Sequence, residues 1–401
     1  MKLMNHVFFT QKDYRHFCIY RFIFGVAYSL MIPVIPLYFD HIGMSTVVIG
    51  TVMSLYGVSK TLVQMPFGIV SDTFGDKKTL LVSLALMIAV PLAYTFSQNP
   101  SIAAINYIVQ GAILGMAAPA TFSLLARTLD PKRRGESTGL ASAVFTLGGG
   151  IGAAIGGFIV STKGNYNMVF HIASFGILYT FIYVILQLPK IPTQKHAQKH
   201  KQKNSLGEML EEIHRYKLGY KIFVLGSIAF LGDFIYGCVV ALFHFYGQDV
   251  LGATTGYTSA IISVYLFVFG LGAPFAGWVS DKIGNNKQLF LSFAVMNATL
   301  LGLGLVRSIP LFTSIIVIYF LGATFLNAAL QSSLSEFGGN DKIKGIVFGF
   351  VGAAESLGYA LGPFICSYVY AFNPTLLFFS LLVVSSLISF IYLVFRKRAN
   401  V

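Results

Sequence analysis

Residues 68–78 read GIVSDTFGDKK, and residues 277–287 read GWVSDKIGNNK. An offset of 209 residues sets Gly68 on Gly277, Asp72 on Asp281 and Gly75 on Gly284. Farther out, at an offset of 210, RGESTG (134–139) falls on KGIVFG (344–349). GGGIGAAIGG (148–157) falls on GYALGPFICS (358–367) at the same offset. The chain is therefore read as two parallel copies of one unit, and the architecture must accommodate that internal repeat.

Each copy is strongly apolar. Of 401 residues, 55% are hydrophobic and 11% charged, with a mean hydropathy of +0.72. Soluble domains carry about 25% charged residues, so a water-soluble globule of this length is excluded. The apolar runs have helix length, not the roughly ten-residue alternation of a membrane barrel. At about 20 residues per span, twelve segments emerge: 16–39, 46–70, 79–98, 101–126, 138–161, 167–188, 221–246, 254–279, 288–306, 310–333, 345–371 and 375–395. The expected fold is an all-α integral membrane protein with twelve transmembrane helices in two six-helix, pseudo-symmetric bundles, residues 1–188 and 221–401. A polar linker, 189–220, joins them. Its end, SLGEMLEEIHRYKLGY, opens with Ser205 and Glu208 in a capping-box pattern. Leu206, Met209, Leu210 and Ile213 then recur at helical spacing, which predicts an amphipathic helix on the membrane surface. The Lys195–Lys203 run before it reads as a solvated tether drawn to anionic lipid.

The net charge of +13 is explained by where the bases lie. With the N-terminus inside, 24 of the 28 Lys and Arg fall in cytoplasmic segments, and only Lys163 and Arg307 fall outside. That asymmetry is the positive-inside pattern. It places both termini in the cytoplasm and removes nucleic acid as the reason for the basic balance. Cys18, Cys238 and Cys366 all sit in apolar runs, so neither a disulfide nor a metal site is expected. Met1 to Arg15 is largely polar and the next apolar stretch exceeds an h-region, so no cleavable signal peptide is expected.

Ionisable side chains inside a span are costly and mark function by default. Lys60 lies about 18 Å along its helix from Asp72, Asp233 lies about as far beyond Lys221, and Glu355 lies about 16 Å past Lys344. Arg21, about 9 Å beyond Arg15, either reaches the cytoplasmic headgroups or faces a cavity. His244, near the end of the seventh span, reads as interfacial. A buried carboxylate holds its proton more tightly than a solvated one, so Asp233 or Glu355 is expected to carry a coupling proton.

These motifs resemble those of the major facilitator superfamily over the whole chain. Its loop 2–3 signature is matched by Gly68, Asp72, Gly75 and Lys77, while Thr73 and Asp76 stand where bases are usual. Gly277, Asp281, Lys282 and Gly284 match in the second copy. The fifth span resembles the glycine signature of the exporter branches at Gly148, Gly152, Gly156 and Gly157, with Ala153 in place of proline. Gly358, Gly362 and Pro363 repeat its first part. The drug:proton antiporter branch usually carries an Arg three residues before a Gln-Gly pair in the fourth span. Gln110-Gly111 is present here, but Tyr107 holds the Arg position. The acid common in that branch's first span is also missing, although Pro33 and Pro36 remain.

The resemblance implies that the second and eleventh spans meet between the halves, where Lys60 and Glu355 would pair. It also implies a cavity lined by the first, fourth, seventh and tenth spans. Asp233 would face that cavity with Arg21, Tyr107, Gln110, Asn327 and Gln331, and the glycines and turn acids would serve gating. The implied activity is secondary active export of a small organic solute by alternating access, in antiport with protons. Two bases opposite two acids favour a zwitterionic or carboxylate-bearing substrate such as an opine-like metallophore. Multidrug efflux and solute import are the alternatives. A sensor or scaffold would need more soluble chain than the linker and tail provide. No catalytic spacing, cofactor site or G-x-x-x-x-G-K-[ST] loop stands out. A monomer in a bacterial plasma membrane is expected.

Overall fold

The computed structural model describes Phe8 and residues 11–96, 98–128, 134–188, 218–335, 337 and 341–399. The linker from 189 to 217, with its expected amphipathic helix and basic tether, lies outside the described residues. In chain order the helices are α1 (Lys12–Ser29), α2 (Val34–His41), α3 (Thr46–Phe74), α4 (Asp76–Phe96), α5 (Pro100–Thr128), α6 (Arg134–Lys163) and α7 (Tyr166–Gln187). They continue as α8 (Gly219–Asp249), α9 (Thr255–Ile283), α10 (Asn285–Leu305), α11 (Ile309–Ser335), α12 (Asp341–Phe372) and α13 (Leu377–Ala399). Helices are the expected solution, because lipid offers no partner to a free backbone N–H or C=O. Eleven stretches among the described residues are long and apolar enough to span a membrane, with α1 and α2 counting as one. α12, which holds the expected span 345–371, has 32 residues, carries Glu355 near its middle and is not one of the eleven.

The expected first span, 16–39, is not one straight helix. It breaks between Ser29 and Val34, where Met31 and Ile32 donate to the carbonyls three residues back, of Tyr28 and Ser29. Pro33 and Pro36 supply no N–H, and each disfavours helical geometry in the residue before it. The loop 2–3 turn is shorter than expected. α3 continues to Phe74 and α4 begins at Asp76, leaving Gly75 alone between them. Gly75 and Gly284 hold φ angles of 99° and 88°, a backbone region open at little cost only to glycine.

Packing divides the chain into two units. The first comprises Met1–Lys195 and Val240–Leu271, and the second His196–Val239 and Gly272–Val401. The joined ends of α8 and α9 therefore pack with the N-terminal helices. Within the first unit, a β-carbon on Gly148, Gly152 or Gly156 would strike the carbonyl oxygens of Phe22, Val26 or Leu30. Contacts advance by four residues on both helices, so α6 and α1 run parallel, backbone against backbone. Gly150 and Gly157 of α6 face Phe267 and Ser259 of α9 instead, and Ser263 Oγ donates to the Gly150 carbonyl at 2.6 Å. Within the second unit the pattern recurs, Gly358 and Gly362 of α12 meeting the carbonyls of Phe230 and Phe234 on α8.

Gly152→Leu is therefore expected to lower stability in detergent by at least the overpacking cost of about 1–3 kcal/mol. Gly139→Ala, which meets open space, should leave the unfolding temperature unchanged or slightly raised. Thermal unfolding of the two purified variants beside the parent checks the contrast.

Candidate functional site

The repeated turn builds a polar knot at one end of each unit. In the first, the buried Asp76 carboxylate accepts from Ser71 Oγ and Ser123 Oγ, each at 2.7 Å, and from Arg127 Nε at 3.1 Å. Lys77 Nζ donates to the carbonyls of Ile185, at 3.0 Å, and Leu188 at the end of α7, where a helix dipole favours a cation. One turn thus fastens α3, α4, α5 and α7 together. In the second unit Ser280 Oγ donates to Asn285 Oδ1, Gln288 Nε2 donates to the carbonyls of Ala276 and Phe325, and Tyr392 donates to the carbonyl of Asn286. Positions 71 and 76 correspond to 280 and 285 in the 209-residue register. Asp76, set aside on sequence as a departure from the motif, is the centre of its knot. Its repeated partnership with a serine five residues earlier was the available signal.

Asp72 and Asp281 take no part in this bonding and are exposed in the last turns of α3 and α9. Lys282 lies over the Trp278 ring at 4.0 Å. Gly68 passes the Pro119 side chain at 3.9 Å, while Gly277 faces open space.

Midway along the first unit, tyrosines from four helices close around Gln110. Tyr94 donates to Gln110 Oε1 at 3.0 Å, and Gln110 Nε2 donates to Tyr28 Oη at 3.4 Å. Tyr28 and Tyr56 share a hydroxyl hydrogen bond of 2.6 Å. Tyr107 stacks on Tyr56, with centroids 4.6 Å apart, and presents an edge to Phe39. Gln110 is 1% exposed and Tyr107 5%. These two expected substrate residues are thus brought together, but inside the packed unit. Lys60 is half-buried on α3, where its carbonyl abuts Gly115 of α5. Arg21 is half-buried, its guanidinium 4.1 Å above the Phe145 ring, so a cation–π contact holds it toward α6.

In the second unit Asp233 and Glu355 are half-buried on α8 and α12, Asn327 is half-buried on α11, and Gln331 is exposed. The contacts of Phe230 with Gly358 and of Phe234 with Gly362 fix the register of α8 on α12. Asp233 is level with residue 361, so the two acids sit about 9 Å apart along the helix axis. Gly237 rests against Pro363, which extends the same seam. His244 is 0% exposed, buried within the first unit.

The sequence profile of the Major Facilitator Superfamily matches residues 17–363. The Quinolone resistance protein NorA of Staphylococcus aureus (strain COL) is 23% identical over 352 residues, which cover 86% of each chain. Multidrug resistance protein 2 of Bacillus subtilis (strain 168) is 26% identical over 353 residues, 85% of this chain and 84% of that one. Among solved structures, the nucleoside transporter NupG superposes with a TM-score of 0.71 at 15% identity, over 96% of this chain and 98% of that one. The human organic anion transporter MFSD10 (TETRAN) superposes at 0.68 and 15% identity, over 95% and 98%. The structural likenesses speak to the fold.

The Asp76 knot makes a prediction of its own. Asp76→Ala leaves two serine hydroxyls and a half-exposed guanidinium without their acceptor and is expected to cost about 2 kcal/mol. Because the groups share one network, the double variant Asp76→Asn/Arg127→Gln should lose less than the sum of its single changes. Unfolding of the full cycle in detergent measures the coupling, and strict additivity would show that the knot is not one unit.

Proposed function

Because the chain belongs to the Major Facilitator Superfamily, and is thus a multi-pass membrane transporter and not an enzyme, we propose that it exports small organic solutes across the plasma membrane by alternating access, in antiport with protons. The observation that carries this reading is the placement of charge. Arg21 and Lys60 lie within spans of the first unit, and Asp233 and Glu355 within spans of the second. Ionisable side chains in such positions are read by default as functional, acting on a substrate or ion. Asp233 or Glu355 carries the coupling proton in this reading, and protonation biases one access state over another.

The glycine stripes supply the mechanical side. Helices in backbone contact slide and tilt as pairs, with little side-chain repacking. Asp72 and Asp281 lie in the last turns of their helices, where the helix dipole disfavours an acid. That cost supports a latching role for both, with Gly75 and Gly284 as the fixed turns. The positive-inside distribution of Lys and Arg supports a cytoplasmic location for the two termini and the turn knots.

The mix of two bases and two acids supports a zwitterionic or carboxylate-bearing substrate, an opine-like metallophore being one such solute. A second reading, efflux of drug-like compounds, draws on a different observation: relatives aligned over most of the chain are named quinolone and multidrug resistance proteins. One experiment addresses both. Inverted membrane vesicles given an imposed pH gradient are expected to accumulate a zwitterionic quinolone in preference to the lipophilic cation ethidium. Asp233→Asn combined with Glu355→Gln should reduce uphill accumulation at least about tenfold while downhill exchange persists. Uphill transport by the double variant would remove both acids from proton coupling, and ethidium preference would favour the drug-efflux reading. Depletion from these vesicles would reverse the direction to import.

A further inference from the structure

Where α2 and α6 end and α7 begins, the first unit holds an open cavity of about 630 Å³, a size typical of small-ligand sites. Its lining lies wholly within that unit. Buried Tyr38 and Tyr94 lie at its base, with Tyr38 Oη donating to the Tyr94 carbonyl at 2.9 Å. His41, the last residue of α2, stacks on Tyr166, the first of α7, with centroids 5.0 Å apart. Gln98, Asn165 and Asn167 add carboxamides to the wall, and Lys163 adds an ammonium. Among the described residues no acid lines the cavity, so its wall is positive.

Lys163 stands out in the charge distribution. In the positive-inside reading only Lys163 and Arg307, of 28 Lys and Arg, face outward. Arg307 is explained locally, because it donates to the carbonyls of Gly304 and Val306 at the end of α10. Lys163 ends α6, is exposed at the cavity and has no salt bridge among the described residues. Asp40 and Asp249, near the ends of α2 and α8, act on each other and on His41, and neither lines the cavity. The wall also runs on into an apolar strip. His171, one turn along α7 from Asn167, is exposed and gives its Nδ1–H to the Asn167 carbonyl at 2.6 Å. Phe175, Tyr179, Ile182 and Leu186 follow at steps of three or four residues, all exposed, which sets them on one helix face.

We propose that this cavity seats the headgroup of an anionic phospholipid, phosphatidylglycerol being one, with Lys163 as counter-charge to its phosphodiester and the exposed strip of α7 as the track of its acyl chains. An ammonium beside carboxamide donors makes charge-assisted hydrogen bonds to phosphate oxygens. Basic pockets between spanning helices take anionic headgroups on the same grounds.

A soluble anion would satisfy the cavity wall alone, whereas a lipid uses the wall and the strip together. The two are joined through Asn167, which lines the cavity and bonds to the first exposed residue of the strip. A headgroup seated there bridges the ends of α2, α6 and α7, which elsewhere in this corner meet through the His41–Tyr166 stack. Neither the substrate nor the direction of transport enters, since a membrane-embedded first unit is the sole requirement.

Full-length protein carrying Trp278→Phe, which removes its one native tryptophan, and Phe175→Trp on the strip reports lipid selectivity through quenching by brominated acyl chains. If that reporter variant does not accumulate, Tyr179→Trp takes its place. In mixed bilayers brominated phosphatidylglycerol is expected to be preferred over brominated phosphatidylcholine by about fivefold, the size expected for one base near a membrane surface. A reporter at Leu387→Trp, exposed on α13, should show no preference. Lys163→Gln should abolish the preference at position 175, and Lys163→Arg should keep it. Equal quenching by the two lipids, the same preference at both reporters, or a preference that survives Lys163→Gln overturns the proposal. Glycerol phosphate added to the water separates the two sources of this chemistry. A preference that withstands it supports the lipid; one that it erases assigns the cavity to a soluble anion and overturns the lipid site.

Discussion

Two helices of this protein can lie backbone on backbone only where a β-carbon is missing, and the rest of the arrangement follows from that contact. In lipid no hydrophobic force draws one apolar helix to another, so close van der Waals approach must do so. Gly148, Gly152 and Gly156 allow it for α6 on α1, and Gly358 and Gly362 repeat it for α12 on α8. Once these pairs are set, the side chains that flank them have little choice of position. Arg21 lies above Phe145 because Gly25 brings α1 against the Phe145 carbonyl. Asp233 and Glu355 are staggered because their helices are locked in parallel register by the glycine seam. A feature that on sequence supports either packing or gating thus fixes the geometry that any gating must use.

The turn knots show how a repeated scaffold diverges chemically without losing its form. Both knots use a serine on the incoming helix and a side-chain oxygen at the start of the next. The first copy makes that oxygen a carboxylate, answered by Arg127 on α5; the second makes it an amide. By the 209-residue register the counterpart of Arg127 is Glu336, which lies outside the described residues.

Much of this was legible beforehand, and the reasons are physical. Long apolar runs have one solution in lipid, so the spans and their order follow from composition. Glycines at four-residue spacing report close contact between helices. What stayed hidden were relationships between side chains. Asp76 read as a flaw in a motif because its partners, Ser123 and Arg127, lie about 50 residues away. The full burial of His244 was not legible, because its cover includes Thr258 of another helix, α9. The break in the first span was signalled by Pro33 and Pro36, yet hydropathy does not register a break. The joined ends of α8 and α9 pack with the first unit, and no linear reading of boundaries reports such a grouping.

The tyrosine network bears on which residues can work during transport. Gln110 has both ends of its amide engaged, and Tyr107 is pinned between Tyr56 and Phe39. Groups bound on every side set a shape; they do not exchange partners cheaply. Tyr107 stands where the resembling branch carries an Arg, and the first span lacks that branch's acid. Both departures put an uncharged side chain where that branch carries a charged one. A buried cation left without its carboxylate would be costly, as would the carboxylate alone, so losing both leaves no orphan charge. The Tyr107 ring fills the space against Tyr56 and Phe39. Arg21 and Lys60 of the first unit and Asp233 and Glu355 of the second are half-buried instead. In the reading proposed above, coupling falls to those groups in place of the usual pair.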